Sequence, residues 1–302
     1  MSTSTQQHRT ADRQQERGHP HRGRPDIQSG DPGPIVPVLW QVQVSHYVEK
    51  VRWALDYKRV PHIRRSLLPG LHAVKAKRLT GDTSTAPVLT INGRSTGDSS
   101  RIIALIEERW SQPPLYPEDP AQRRRALELE EFFDEELGPY ARRLPFYEAR
   151  RDPELVDQIT ARVSPKLHAR LGRALVPYSR AFAAVRYGAA SSRAADTARQ
   201  KIIAAIDRLE AELGEHDYLA GDRFTVADLT AAALLYPIVR PTEAPPVTDR
   251  MPEPFERFRD TLRQRRGYRW VQQIFHRHRH TNPPSTLPGD QQPATQSVLS
   301  AR

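Results

Sequence analysis

The chain has 302 residues, of which 37% are hydrophobic and 27% are charged, with a formal net charge of +10. It contains no cysteine, which excludes a protein thiol nucleophile, a redox disulfide and a cysteine metal site. No stretch approaches the roughly 20 apolar residues of a membrane span, and the N-terminal region lacks the apolar segment of a secretory signal, so we expect a cytoplasmic protein.

The first part of the ordered chain predicts a small α/β domain. Ile35 to Trp40 is apolar and predicts a buried strand, and after a short break Val48, Val51 and Leu55 share one face of a helix. The segments that follow predict, in order, a strand at 61–68, a short basic helix or loop at 71–80, a strand at 86–91, a hairpin turn at 92–93 and a helix opening at 97–99.

Almost everything beyond the proline-rich segment 113–118 has helical periodicity. We expect a long charged helix over 119–137 that stops at Gly138-Pro139, and one interrupted helix or two shorter ones over 153–185. Thr225 and Asp228 form a variant capping box at the start of an apolar helix. The remaining helices are predicted at 194–213, 252–265 and 268–278.

The two ends of the chain differ from the middle. They are polar and proline-rich without apolar periodicity, which predicts disordered tails. The predicted organisation is therefore a tail at 1–34, an α/β domain at 35–112, a linker at 113–118, a helical domain at 119–280 and a tail at 281–302.

The positive charge comes mainly from arginine and lies partly in or beside the tails. No helix-turn-helix, zinc-finger or RNA-binding aromatic pattern accompanies it, so we do not expect a nucleic-acid partner. His276, His278 and His280 alternate with arginines and could take up a metal adventitiously, but a solvated helix end explains them better. We expect no metal site.

Ser45 stands at the turn between the first strand and the first helix. Free backbone N–H groups and the helix dipole favour an anion at such a helix start. A hydroxyl there can hold a phosphate, a carboxylate or an incoming thiolate. It can also simply cap the helix, and from its position alone the cap is the better interpretation.

A small α/β domain, a proline-rich linker and a helical domain together resemble the cytosolic glutathione S-transferase family. Motifs of that family match in order along most of the ordered chain: Ser45 with Lys50-Val51-Arg52-Trp53, Ala86-Pro87-Val88-Leu89, Asp98-Ser99, Leu115-Tyr116-Pro117, and Leu219-Ala220-Gly221-Asp222 with Thr225 to Asp228. The resemblance implies an N-terminal thioredoxin-like domain followed by a helical bundle, and a protein of the serine type.

The resemblance also implies a role for each matching residue. Ser45 would hold the glutathione thiol as a thiolate, with Tyr47 as the alternative. A cis bond at Ala86-Pro87 would aim the Ala86 backbone at the cysteine of the tripeptide. The γ-glutamyl group would be bound by Asp98 through its ammonium and by Ser99 through its carboxylate, although both residues also fit an ordinary helix cap. His72 and Lys75 would reach the glycine carboxylate.

The implied function is the transfer of glutathione, as co-substrate, to a small electrophile, in a homodimer. His46 departs from the proline that this family usually has after its catalytic residue. This departure keeps open a catalytically silent protein used in protein association. A glutathione-dependent isomerase or an ether-cleaving enzyme is also open, as is the use of a different thiol. Residues facing the electrophile are expected within 119–147 and near Tyr178 and Tyr236.

Overall fold

The computed structural model describes residues 36–68, 70–163 and 165–280. Both predicted tails lie outside these residues. The four strands are β1 (Val38–Gln41), β2 (Ile63–Ser66), β3 (Val88–Ile91) and β4 (Arg94–Gly97). They form one sheet in the order β2-β1-β3-β4, in which β1 is parallel to β2 and β3 is antiparallel to both of its neighbours.

Three helices belong to the half of the chain that carries the sheet. They are α1 (His46–Tyr57), α2 (Leu71–Thr80) and α3 (Ser99–Arg109). Segment 71–80, predicted as a helix or a loop, is thus a helix. The alternation of β1 buries Leu39 and Gln41 on one face of the sheet, and α1 and α3 pack together over the core.

The other helices follow the linker. They are α4 (Pro120–Phe132), α5 (Gly138–Ala149), α6 (Pro153–Val163), α7 (Pro165–Leu171), α8 (Val176–Tyr187), α9 (Ser192–Leu213), α10 (Val226–Val239), α11 (Glu253–Arg263) and α12 (Arg266–His278). A π-helical turn, Phe133–Leu137, joins α4 to α5, and a 3-10 turn, Gly172–Leu175, joins α7 to α8.

The predicted stop at Gly138-Pro139 is wrong, because the chain continues from the π-helical turn directly into α5. Pro139 falls within the first turn of α5, where proline is tolerated because its fixed φ suits a helix. The predicted capping box is present, since Asp228 accepts hydrogen bonds from both the backbone and the hydroxyl of Thr225.

One hydrophobic core runs through both halves. Helix α10 is buried on nearly every side and packs against α1, α4 and α12. Its apolar composition is therefore that of a central core helix. In the described ranges, none of the helices has both the length and the apolar composition needed to cross a membrane. Those ranges also contain no group of three or more acidic or histidine side chains placed to hold a metal ion.

Candidate functional site

The strand pairing brings the predicted site residues to one edge of the sheet. Since β3 is antiparallel to both β1 and β4, the C-terminal ends of β1 and β4 lie beside the N-terminal end of β3. The parallel strand β2 ends at the same edge. The predicted residues flank these ends: Ser45 after β1, His72 and Lys75 on the helix after β2, Ala86 and Pro87 before β3, and Asp98 and Ser99 after β4.

Ser45 is the N-cap of α1. Its Oγ accepts a hydrogen bond from the backbone N–H of Val48 at 3.4 Å, which is long for such a bond. A serine hydroxyl has one donor and two acceptor positions. The cap uses an acceptor position, so it leaves the hydroxyl proton available. Capping and thiolate binding, which the sequence analysis treated as alternatives, are therefore compatible at Ser45.

Tyr47, the alternative to Ser45, has its hydroxyl occupied. It donates to the backbone carbonyl of Asp134 at 2.7 Å. Burial, reinforced by the Asp134 carboxylate, raises the pKa of the Tyr47 phenol above its ordinary value. This geometry favours Ser45 over Tyr47 as the donor to a thiolate.

His46 is buried, and its Nε2 lies 2.8 Å from the carbonyl oxygen of Gly138. A carbonyl only accepts, so Nε2 carries the proton. Burial, assisted by the cation of Arg142, lowers the pKa of His46 to about 3. The imidazole is therefore neutral at physiological pH, and it ties the first turn of α1 to the start of α5.

The bond between Ala86 and Pro87 is cis, as the resemblance implies. At the end of β4, Asp98 has a positive φ of 70° and caps α3 by accepting a hydrogen bond from the N–H of Arg101 at 3.0 Å. A positive φ is strained for a residue other than glycine, and such strain concentrates at functional sites. Asp98 is exposed while Ser99 is buried.

A buried ionic network joins α1 and α3 to α4 and the π-helical turn. The Lys50 ammonium lies 2.8 Å from Glu130 and 2.7 Å from Asp134. Ser100 accepts from Lys50 at 2.8 Å and donates to Asp134 at 2.6 Å. Asp134 belongs to the π-helical turn, a feature often found at functional sites. The sequence did not predict this network, because Lys50, Glu130 and Asp134 are far apart along the chain and only the fold brings them together.

The two basic residues on α2, His72 and Lys75, differ in the groups that they offer to a ligand. Burial lowers the pKa of His72, and its Nδ1 accepts a hydrogen bond from the N–H of Gly70 at 3.0 Å. His72 is therefore neutral and offers only its Nε2 proton. The exposed Lys75 ammonium lies 4.7 Å from the centroid of the Trp40 ring, where solvent and a ligand can reach it.

A cavity of about 250 Å³ lies beside the start of α1. Val44 and His46, the two neighbours of Ser45, line it together with Tyr236, and apolar side chains from α5, α6 and the segment after α10 complete the walls. A smaller cavity of about 70 Å³ lies between Val42, Val44, Leu68 and α8, where Tyr178 lines it. The two tyrosines expected near the electrophile thus each line a cavity next to the sheet edge.

Helix α8 covers part of this edge. A Cβ added to Gly70, which has a φ of +87°, would lie 2.2 Å from the Tyr178 hydroxyl oxygen. The rings of His72 and Phe182 also meet edge to face with centroids 6.3 Å apart. Both contacts place α8 against the N-terminal end of α2. Glycine suits position 70 because its φ lies in the left-handed region, and a side chain there would also force the Tyr178 ring to shift.

Two family models match the chain. One, described as "Glutathione S-transferase, N-terminal domain", matches residues 39–114, and the other, described as "Glutathione S-transferase, C-terminal domain", matches residues 168–265. Together the matches cover more than half of the 302 residues. The first runs from within β1 to beyond α3, and the second includes α8 to α11.

Two curated relatives come from Arabidopsis thaliana. Glutathione S-transferase U6 is 30% identical over 107 residues, and glutathione S-transferase U4 is 36% identical over 105 residues. The alignments cover 33% and 32% of this chain and only 44% and 43% of those relatives. The chain thus matches less than half the length of either protein.

A solved structure matches over a longer range. The β-etherase LigF from Sphingobium sp. strain SYK-6 superposes with a TM-score of 0.52 over 79% of this chain and 99% of that one. Its sequence identity is 17%, so the likeness concerns the fold.

Proposed function

Because the chain belongs to the glutathione S-transferase family, we propose that it binds glutathione at the sheet edge beside α1 and directs the glutathione thiolate at a small electrophile. The observation that carries this proposal is the convergence of Ser45, cis-Pro87 and Asp98 at one edge of the sheet, next to an apolar cavity. Since the chain has no cysteine, the reacting sulfur must come from the ligand.

The proposed mechanism begins with the thiol. The Ser45 hydroxyl donates to the sulfur, and the N-terminus of α1 adds favourable electrostatics, so the thiolate is favoured near neutral pH. The backbone of Ala86 pairs with the cysteinyl segment, the Asp98 carboxylate binds the ammonium of the γ-glutamyl group, and Ser99 binds its carboxylate. Lys75, rather than the neutral His72, binds the glycine carboxylate.

In the second step the bound thiolate attacks an electrophile held in the cavity beside Val44 and His46. The protein contributes chiefly by activating the sulfur and by holding two reactants in one orientation. His46 is neutral and occupied by the Gly138 carbonyl, so it replaces the family's usual proline without adding a base or a charge to this step.

The test combines binding and turnover. Titration calorimetry with glutathione should give a saturable heat that Asp98→Asn weakens, because the neutral amide loses the charge-assisted contact with the ammonium. Glu118→Gln, which removes an exposed carboxylate at the end of the linker, is the matched control. Absence of glutathione binding by the wild type would contradict the proposal. Binding without turnover of any aromatic halide, maleyl compound or aryl ether would instead support a silent protein.

The family is also the basis for proposing a homodimer in the cytoplasm. Sedimentation equilibrium should return about twice the 34.4 kDa of the chain. A single species at the mass of one chain across micromolar concentrations would contradict the homodimer and leave the proposed chemistry standing.

A further inference from the structure

The cavity of about 250 Å³ beside the start of α1 carries a cation without an ion-pair partner among the described residues. Arg142 lies on α5 and lines the cavity next to His46. Its Nε is buried without a hydrogen-bond partner. Its strongest electrostatic neighbours are Tyr187, Tyr47 and two further arginines, and in the part of the chain that the structure describes no carboxylate is among them. A buried donor left without an acceptor costs about 1–3 kcal/mol, so the site is incomplete as it stands.

The position of the guanidinium is fixed by aromatic rings. Its Cζ lies 4.4 Å from the ring centroid of Tyr187 and 6.0 Å from that of Tyr47. Stacking of this kind holds the guanidinium plane in place and leaves its N–H edge for a partner. A planar guanidinium edge matches a carboxylate, which it can bind through two parallel hydrogen bonds.

The remainder of the cavity contains nothing that would satisfy this charge. The second cation, Arg240, is already bound to the backbone carbonyl of Thr248 and lies 3.7 Å from Glu256. The described lining residues include no acidic side chain. Burial lowers the pKa of His46 to about 3, so this residue adds no charge at neutral pH. The cavity therefore combines a net positive end with apolar walls.

The walls define the rest of the ligand. Val44, Pro145, Phe146, Ile159 and Pro237 present apolar and aromatic surfaces. An apolar cavity of about 150 Å³ is enough for a benzene ring, and this cavity measures about 250 Å³. It has room for one ring with substituents, and one end of that ligand would face Arg142.

We infer that the cavity selects an anionic electrophile, a single-ring or similarly flat molecule with a carboxylate that Arg142 binds. The inference rests on the proposed function, because the electrophile must meet a thiolate at Ser45. Val44 and His46, which flank Ser45, line the same cavity, so a ligand anchored on Arg142 lies beside the start of α1.

The chemistry can be written for a probe of this class, 4-chloro-3,5-dinitrobenzoate. The glutathione thiolate attacks the ring carbon that bears chlorine, and a carbon–sulfur bond forms. The carbon–chlorine bond breaks, and chloride leaves with its electron pair. The thiol proton has already passed to solvent. The methyl ester of the same compound undergoes the same displacement without the negative charge, so it is the neutral probe, and the uncatalysed rate of each compound with glutathione corrects for its different intrinsic reactivity.

The experiment separates recognition from catalysis. Calorimetry without glutathione compares the unreactive 3,5-dinitrobenzoate with its methyl ester. We expect the wild type to bind the carboxylate at least about tenfold more tightly than the ester, a difference of about 1.4 kcal/mol. Arg142→Gln should abolish that preference, whereas Arg208→Gln, which removes an exposed charge on α9, should preserve it. Arg142→Lys should keep part of it, because it retains the charge but not the planar contact.

Equal binding of carboxylate and ester by the wild type would overturn the inference, as would an unchanged preference in both Arg142 variants. Circular dichroism checks that each variant is folded. If Arg142→Gln does not fold, Arg142→Lys provides the test. If the proposed function holds, the ratio of kcat/KM for the two chloro probes, each divided by its uncatalysed rate constant with glutathione, should follow the binding ratio. A preference for the carboxylate without any turnover would support this inference and contradict the transferase proposal.

Discussion

The chemistry of this protein depends on which polar atoms around the start of α1 are already occupied. Ser45 uses only an acceptor position in its cap, while the Tyr47 hydroxyl and the His46 Nε2 proton are both committed to backbone carbonyls. The hydroxyl at Ser45 is therefore the one of these three groups whose proton can still meet a thiolate. The neighbouring histidine contributes structure rather than charge.

Substitution of His46 tests this interpretation through the pH dependence of stability. Burial lowers the pKa of His46 from 6.5 to about 3. Above pH 6.5 the imidazole is neutral in both the folded and the unfolded state, so the contribution of His46 to stability is fully present. Below pH 6.5, His46 is protonated in the unfolded chain but stays neutral in the folded protein down to about pH 3. The free energy of unfolding therefore falls as the pH decreases. The slope from this residue is at most about 1.4 kcal/mol per pH unit.

His46→Gln keeps a donor for the Gly138 carbonyl and removes the titration. Denaturant unfolding at pH 8, 6 and 5 should show a steeper acid loss for the wild type than for the variant, with pH 8 as the internal control. Parallel profiles would show that His46 is accessible to protons in the folded state.

At the scale of elements, the junction between α4 and α5 positions much of the site. The π-helical turn holds Asp134 against Lys50 and Ser100, and Gly138 allows α5 to approach the ring of Tyr47. A Cβ added at Gly138 would lie 2.1 Å from the Tyr47 hydroxyl oxygen. The first turns of α1 and α5 therefore pack closely together because Gly138 has no side chain.

Gly138→Ala is expected to destabilise the protein. In an ordinary helix this change stabilises by about 1 kcal/mol, but here overpacking against Tyr47 should cost about 1–3 kcal/mol. The shorter side chain of Tyr47→Leu removes the contact, so Gly138→Ala should become neutral or stabilising in that background. A double-mutant cycle measured by chemical denaturation checks this, and additive effects would contradict the proposed contact.

In the described part of the chain, buried charges link the two halves in addition to the shared hydrophobic core. Lys50 on α1 is fully buried and pairs with Glu130 on α4 and Asp134 in the π-helical turn. Arg279, after α12, donates to Glu49 at 2.6 Å and to Asp56 at 2.9 Å, which fixes the end of the described chain to α1. Helix α1 is therefore surrounded by the rest of the protein rather than lying on one face of a small domain.

Lys50→Met should be strongly destabilising because it leaves two carboxylates without their cation in a desolvated place. Removal of one partner from a buried ion pair typically costs about 3–5 kcal/mol. Lys201→Met is the matched control, since its ammonium pairs with Glu136 at the exposed surface and its loss should change little. Thermal and denaturant unfolding measure both variants, and equal losses would contradict the central role of Lys50.

Much of this organisation could be predicted from the sequence, because it follows local rules. The capping box at Thr225, the strands of the sheet and the cap at Ser45 each depend on neighbouring residues. The remainder depends on long-range packing. Lys50 and Arg142 appear in the sequence as ordinary basic residues on helices. Only the fold buries Lys50 and the Nε of Arg142, and only the fold leaves that Nε without a partner. The helix end predicted at Pro139 was wrong for a similar reason, because the sequence alone does not show how this segment packs.

The ultraviolet absorbance of a thiolate directly reports the protonation state of the ligand's sulfur beside Ser45. A pH titration of the protein saturated with glutathione should show a thiol pKa below that of free glutathione. Ser45→Ala should raise the pKa by about one unit or more, equivalent to a charge-assisted hydrogen bond of about 1.4 kcal/mol. Ser191→Ala removes the corresponding N-cap of α9 and should leave the titration unchanged. Identical titrations for the wild type and Ser45→Ala would contradict the account.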